Sequence, residues 1–305
     1  MAQRLKIALT GGTGFVGSHV LELALAEGHV VKALTRRDQP PRDGVEWIAG
    51  DLADRSALEM LVADVDAVIH VAGVLTASNA AAFELGNVGG TLSMLAAATA
   101  GGVRRFVHVS SLAAREPKLS LYGASKASAE DLVQGSGLDW AIVRPPAVYG
   151  PGDKETLELF RMAKLRLMLM PPKGRLSLLH VGDLARLLLA LTQYEAPSST
   201  LIEPDDGKAR GWSHRGFARA LGTAVGTKPT IVSSPGVLLR LAARADQLVR
   251  GPSAKLTTDR AAYFSHHNWV VDSKRGAPPE LWRPQVPTEQ GLKDTADWYR
   301  AQKWL

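Results

Sequence analysis

A short apolar run, Ile7-Ala8-Leu9-Thr10, leads directly into Gly11-Gly12-Thr13-Gly14-Phe15-Val16-Gly17 and then into a stretch of helix-forming residues. Three glycines at this spacing, between a strand and a helix, leave few folds open. Gly11 permits a tight turn, Gly14 lets backbone N–H groups approach a pyrophosphate, and Gly17 allows the helix to pack closely on the strand. The anion then sits at a helix N-terminus, where free N–H groups and the macrodipole favour negative charge. A bare glycine triplet reads equally well as an ordinary turn. The strand–turn–helix setting points to a dinucleotide, with Thr13, Phe15 and Val16 lining the same turn.

The rest of the first half repeats this alternation. Short, near-continuously apolar runs occur at Lys6–Thr10, Val30–Thr35, Val45–Ala49, Ala67–Val71, Arg105–Ser110 and Trp140–Arg144. Such runs suit strands covered on both faces. Between them, Val16–Glu27, Ser56–Val62, Asn87–Ala100 and Ala124–Gln134 have helix-forming composition. Gly28 and Gly101-Gly102 close two of these, where a helix end favours left-handed geometry. The pattern predicts an α/β fold, a doubly wound parallel sheet of the Rossmann type over residues 1–150.

After Tyr149-Gly150-Pro151-Gly152 the pattern changes. Leu157–Met170 reads as a helix stopped by Pro171-Pro172, followed by Leu176–Val181 and a helix over Asp183–Leu191. Residues 176–195 are expected to return to the dinucleotide-binding domain. Residues 151–175 and 196–305 are expected to form a smaller, mainly C-terminal substrate domain, helical near His214–Leu221, Val237–Val249 and Thr288–Gln302.

Composition narrows the function classes. At 46% hydrophobic and 22% charged residues the chain is neither disordered nor fibrous. With no cysteine it has neither disulfides nor a thiolate metal site, which fits a cytoplasmic location. The first apolar residues are too few for a signal peptide, and no run approaches the ~20 residues of a membrane span. The net charge of +6 favours anionic ligands, yet the basic residues are scattered, which argues against nucleic acid. His266-His267 lacks a third ligand at useful spacing, so no metal is expected.

The end of the second strand bears on cofactor choice. NAD sites place a carboxylate there for the ribose hydroxyls. Here the strand ends Thr35-Arg36-Arg37, with no carboxylate until Asp38. Guanidinium groups suit a 2′-phosphate, so NADP is preferred and NAD is the second choice. A solvated basic loop is the plainer alternative.

Tyr122 and Lys126, four residues apart, share one helix face. An ammonium beside a phenol is expected to lower the phenol's pKa, making Tyr122 a general acid or base for a hydroxyl/carbonyl pair. Ser110-Ser111 end the preceding strand and can hydrogen-bond the substrate oxygen. A Tyr-x-x-x-Lys pair alone is usually helix surface; its place in a glycine-motif sheet gives it weight.

These motifs, with Gly50-Asp51-Leu52, His70-Val71-Ala72-Gly73, Asn87-Val88-Gly89-Gly90-Thr91, Arg144-Pro145-Pro146-Ala147-Val148-Tyr149 and His180-Val181-Gly182-Asp183-Leu184, resemble the extended, epimerase/dehydratase-like branch of the short-chain dehydrogenase/reductases. The resemblance implies adenine contacts from Asp51 and Leu52, and places Val71, Ala72 and Gly73 beside the nicotinamide ribose and pyrophosphate. It also implies that Lys126 holds the nicotinamide ribose and that the backbone around Pro145 to Val148 borders the ring. Ser111, rather than Ser110, matches the family's catalytic serine or threonine. Asp51 could instead cap the following turn, and Pro145-Pro146 could simply end a strand.

Two features depart from the sugar-nucleotide members. The Ser111-to-Tyr122 interval is only eleven residues, and the segment from His267-Asn268-Trp269 to Trp304-Leu305 resembles reductase-like bacterial members. The expected function is an NADP-dependent oxidoreductase interconverting a secondary alcohol and a ketone through Ser111, Tyr122 and Lys126. A nucleotide-sugar epimerase or dehydratase with tightly bound NAD, and a catalytically idle NADP(H)-binding protein, stay open. Partners are a small-molecule substrate and, as in relatives, a second copy through sheet-flanking helices. His180 and Asp183 read as organisers of the sheet edge. Arg161, Lys164, Arg166, Lys173 and Arg175 read as a solvated face or a phosphate site. Val237–Val249, amphipathic with Arg240 and Arg244, reads as a cover for the substrate pocket or, second, as a membrane contact.

Overall fold

A computed structural model describes residues 4–77, 79–171, 173–193, 196–233, 262–263 and 265–305. The apolar runs become β1 (Lys6–Thr10), β2 (Val30–Thr35), β3 (Val45–Ala49), β4 (Ala67–His70), β5 (Arg105–Val109) and β6 (Asp139–Val143), each within a residue of expectation. The chain then adds β7 (Ala147–Tyr149), β8 (Leu167–Met170), β9 (Arg175–Leu176) and β10 (Leu178–His180) before a seventh strand of the main sheet, β11 (Thr200–Ile202). The sheet order is β11-β6-β5-β4-β1-β2-β3, with every neighbour parallel. The chain leaves β1 toward β3 on one side and resumes at β4 on the other. The crevice outside the carboxyl ends of β1 and β4 is thus the switch point at which such sheets bind ligands.

Both faces of the sheet are covered. On one, α1 (Phe15–Ala26) packs beside α7 (Val181–Ala190), joining Leu21, Leu187 and Leu188 to Ile7, Leu9 and Val107. On the other lie α2 (Arg55–Val62), the short α3 (Ala80–Phe83), α4 (Gly90–Ala100) and α5 (Leu121–Gln134), with Leu58, Met94 and Val133 against Val68, Phe106 and Ile142. Side chains set the starts of the capped helices. Asp54 accepts from Ala57 N at 3.1 Å to begin α2, and Ser120 accepts from Gly123 N at 2.9 Å to begin α5.

A third core unites α6 (Leu157–Lys164), α8 (His214–Val225) and α9 (Thr288–Ala301) through Phe160, Phe217, Leu221, Leu292 and Tyr299. Small sheets border it. β12 (Trp212–Ser213) and β14 (Asn268–Trp269) flank β9, β7 pairs with β10, and β13 (Thr230–Ser233) pairs in parallel with β8.

The structure corrects two expected elements. Leu157–Met170 is not one helix: α6 ends at Lys164, Arg166 takes a φ of +60°, and Leu167–Met170 is a strand held by β13. Four consecutive Leu and Met residues carry no period of their own, so the distant partner decides. Asn87–Ala100 is α-helical only from Gly90; Glu84–Gly89 winds as a π-helix. Val237–Val249 lies outside the described residues. Among the described residues no helix is long and apolar enough to cross a membrane.

One ionic network ties the sheet to the smaller layer. Arg144, just past β6, donates to both oxygens of buried Glu130 on α5 at 2.9 and 2.6 Å, and to Glu203 beyond β11 at 3.4 Å. Glu203 also faces Arg115 at 3.7 Å and accepts from Asp272 N at 2.8 Å. Arg115 donates to the carbonyls of Val270 and Asn268. Burial opposes the charge of Arg144, but the bonds to Glu130 and the fields of both carboxylates overcome it and raise its pKa.

Removing one partner of a buried pair leaves an uncompensated charge, whereas replacing both with apolar groups is often near neutral. Arg144→Leu is therefore expected to destabilise the fold by about 3–5 kcal/mol in urea unfolding. Combining it with Glu130→Leu should recover much of that loss.

Candidate active site

The glycine turn is built without room for side chains. Gly11 takes a φ of +75°, and a Cβ there would lie 2.9 Å from Ala72 N. A Cβ on Gly17 would lie 2.0 Å from Gly11 O, so only glycine lets α1 start this close to the turn. Gly14 is the N-cap residue of α1 and supplies no side-chain cap, and no acidic residue lies in the first turn. The N–H groups at Phe15 and Val16 thus stand at the positive end of a helix dipole, as a pyrophosphate requires. Thr10 Oγ1 accepts from Ala72 N at 3.1 Å and so holds Val71-Ala72-Gly73 against the turn. This cradle fits a dinucleotide.

At the far side, Thr35, Arg36, Arg37, Asp38, Ala49, Gly50, Asp51 and Asp54 line a cavity of about 280 Å³. Thr35 Oγ1 donates to Arg37 O at 2.7 Å and accepts from Arg37 N at 3.2 Å, folding the loop so that both exposed arginines reach the cavity. Asp51 caps its own turn, accepting from Ala53 N at 2.8 Å, while still lining this space. Leu52 packs on Gly90 at the start of α4.

Ser111, Tyr122 and Lys126 converge at the carboxyl end of β5. Ser111 opens a 3₁₀ turn over Leu112–Arg115, accepting from Ala113 N at 3.2 Å, and its side chain is hydrogen-bonded to the half-buried Tyr122 phenol. Lys126 is buried, and its Nζ donates to Val109 O at 2.8 Å. Burial lowers its pKa to about 8, against the field of Glu130. The expectation for the phenol is corrected here. Burial raises the Tyr122 pKa, and its bond to Ser111 only partly offsets this; the Lys126 ammonium is turned to the β5 carbonyl. Pro145 is buried and accepts from Leu112 N at 3.0 Å, and half-buried Val148 lies on β7.

Sequence reasoning gave Asn87 no role, yet the structure brings it to the same place. From the π-helix it accepts from Val74 N at 2.6 Å and donates to Val74 O at 3.0 Å and Ser125 Oγ at 2.9 Å. A Cβ on Gly73 would meet Asn87 Oδ1 at 3.0 Å and Lys126 Nζ at 3.9 Å, so these three residues share one wall. The signal available in the sequence is the amide of Asn87 at the head of Asn87-Val88-Gly89-Gly90. Beneath the site His70 stacks on His108 at 5.5 Å, and neither ring nitrogen of His108 has a partner among the described residues. Burial, with Lys126 adding to it, holds both imidazoles neutral; His70 falls to about 3.

His180 caps α7 through Gly182 N at 3.1 Å, and Asp183 accepts from Gln285 N and Val286 N, so both organise the edge. Of the five cations considered for phosphate, Arg161 pairs with Glu158 and donates to Trp304 O, while Arg175 donates to the carbonyls of Arg210 and Gly211. Beyond Arg115, a cavity of about 750 Å³ opens between the sheet edge and the smaller layer, bordered by Lys173, Arg210, Ser213, His267 and Val270. Among the described residues no group of three His, Asp or Glu is placed to hold a metal.

The chain is 37% identical over 313 residues to a ceramide reductase of Caulobacter vibrioides, covering 98% of this chain and 96% of that protein. It is 29% identical over 319 residues to a 4-hydroxy-2-methyl-3-oxo-4-farnesyl-3,4-dihydroquinoline-1-oxide ketoreductase of Stigmatella aurantiaca, covering 94% and 95%. In fold it is similar to Bordetella bronchiseptica WbmG solved with NAD and UDP, at a TM-score of 0.77, 17% identity and coverage of 99% and 97%. The profile of the NAD dependent epimerase/dehydratase family matches residues 7–201. The chain is a member of that family of enzymes.

Proposed function

We propose that this enzyme is an NADP-dependent ketoreductase that converts a ketone on a long-chain, lipid-like substrate to a secondary alcohol. The observation that carries this reading is the Ser111–Tyr122–Lys126 cluster at the switch-point crevice. The substrate class is suggested by the relatives named as a ceramide reductase and as a ketoreductase of a farnesyl-bearing dihydroquinoline oxide.

When bound, the reduced dinucleotide supplies the hydride; the glycine turn would hold its pyrophosphate, Arg36 and Arg37 a 2′-phosphate, and Lys126 its nicotinamide ribose. Asp51 and Leu52 would meet the adenine. Val71, Ala72, Gly73, Pro145 and Val148 would border the nicotinamide half. Ser111 orients the ketone oxygen. Tyr122 then gives that oxygen its phenolic proton. A pKa raised by burial keeps the phenol protonated, which suits a proton donor better than a proton acceptor. As the proton leaves, charge develops on the phenolate, and the Lys126 ammonium four residues along α5 stabilises it.

The cationic cavity beyond Arg115 also favours a second reading, an anionic sugar-nucleotide substrate. Purified protein carrying stoichiometric NAD, with no consumption of added NADPH, would select it.

Tyr122→Phe should lower ketone reduction by at least about a thousandfold while leaving NADPH affinity within about twofold, as measured by steady-state rates and fluorescence titration. Undiminished turnover would remove Tyr122 from the mechanism. Arg36→Ala with Arg37→Ala should weaken NADPH by about tenfold or more and leave NADH nearly unchanged. The pH profile follows from Lys126. Its ammonium is charged below about pH 8 and discharges above it, so kcat/KM for reduction should fall by up to tenfold per pH unit above that point.

A further inference from the structure

The two-stranded sheet of β8 and β13 presents an unusual outer face. Along β8, Met168 and Met170 are buried in the third core, so Leu167 and Leu169 point outward. In the parallel register Leu169 lies beside Val232 and Leu167 beside Thr230, which places these side chains on one face. Leu165 precedes them at 79% exposure, with Leu167, Leu169 and Val232 at 48, 52 and 43%. Three of the nine large hydrophobics exposed among the described residues therefore lie on this small sheet, and a fourth, Leu165, directly precedes it. Outward positions of a solvated sheet are ordinarily polar, and a clustered exception marks a contact surface.

Among the described residues the charge beside the face in sequence is of one sign. Lys164 and Arg166 flank Leu165, Lys228 precedes β13, and Lys173 follows β8; all four are exposed, and none is ion-paired among the described residues. No Asp or Glu occurs between residues 159 and 182 or between 226 and 233, and α8, against which β8 packs, has none. An apolar row ringed by unpaired cations matches the headgroup–acyl boundary of an anionic bilayer, where the aliphatic groups sink and the cations meet the headgroups.

We propose that the outer face of β8 and β13 docks this enzyme on an anionic lipid surface. The chain leading from β8 through Pro171 reaches Lys173, Gly174 and Arg175, which border the 750 Å³ cavity beside the Ser111 turn. Ser233 at the end of β13 donates to Pro171 O at 3.4 Å and joins the two strands at that border. Docking through this face would set the Lys173–Arg175 border of that cavity close to the lipid surface. In this respect the inference rests on the long-chain substrate proposed above.

The test is co-sedimentation of the full chain with vesicles of phosphatidylcholine alone or mixed equally with phosphatidylglycerol. Binding is expected to the mixed vesicles and to be at least about tenfold weaker to phosphatidylcholine. Leu167→Ser combined with Leu169→Ser keeps every charge, so it separates docking from simple attraction of a +6 protein. It should weaken binding about tenfold or more, with the urea midpoint, NADPH affinity and reduction of a short, water-soluble ketone unchanged. Lys164→Glu combined with Arg166→Glu should weaken it comparably.

No binding by the wild-type chain, or equal binding by the serine variant, overturns the proposal. So does a wild-type dimer that the serine variant splits, because a second copy would then cover the face. Failure to reduce any ketone would defeat the proposed function and leave the vesicle result readable.

Discussion

The guanidinium of Arg144 is the point on which the arrangement of this molecule turns. Its two bonds to Glu130 fix α5, the helix that carries Tyr122 and Lys126. Its third reaches Glu203 beyond the edge strand, and Glu203 with Arg115 grips the backbone from Asn268 to Asp272. Ser110, beside Ser111, hydrogen-bonds the same Glu130 carboxylate. One network of two carboxylates and two guanidiniums therefore sets where the Ser111 turn stands relative to α5 and to the smaller layer. Buried ions bring little net stability, because desolvation offsets their attraction. What they impose here is geometry, since a displaced member would leave a buried charge unpaired.

Burial also shapes the chemistry of the site. Lys126 lies below the surface over two neutral, stacked histidines, and the same low-polarity surroundings that hold those rings uncharged draw its pKa toward neutrality. Glu130 works in the opposite direction, so the carboxylate that anchors Arg144 also helps keep the lysine charged. The ionic network and the Ser/Tyr/Lys cluster are in this sense one electrostatic unit.

Much of this was legible in the sequence because it is local. Each sheet strand from β1 to β6 is a short, mostly apolar run, and the glycine turn is a contiguous motif whose spacing alone dictates close approach. What escaped is what depends on distant partners. Thr200-Leu201-Ile202 is too short to read as a strand and becomes one only because β6 offers an edge. Leu167–Met170 is extended because of β13, some sixty residues later. Nothing near Glu130 in sequence foretells that Arg144 and Ser110 bond it in the interior. The Tyr122 pKa was misjudged for the same reason: helical spacing places Lys126 on the right face, but the carbonyl of Val109 takes its ammonium.

This last difference bears on the role open to Tyr122 in the proposed reaction. An enzyme that removes a proton from an alcohol gains from a phenol of lowered pKa, whereas one that gives a proton to a ketone gains from a phenol that stays protonated until the oxygen demands it. Here burial raises the phenol and Ser111 bonds to it, while the lysine stands off at β5 with its own proton loosely held. Both shifts have one cause, burial disfavouring charge: the phenol keeps its proton, while the field of Glu130 opposes the loss of the lysine's. The burial that the sheet imposes on the crevice thus holds the phenol in the protonated form that a proton donor needs.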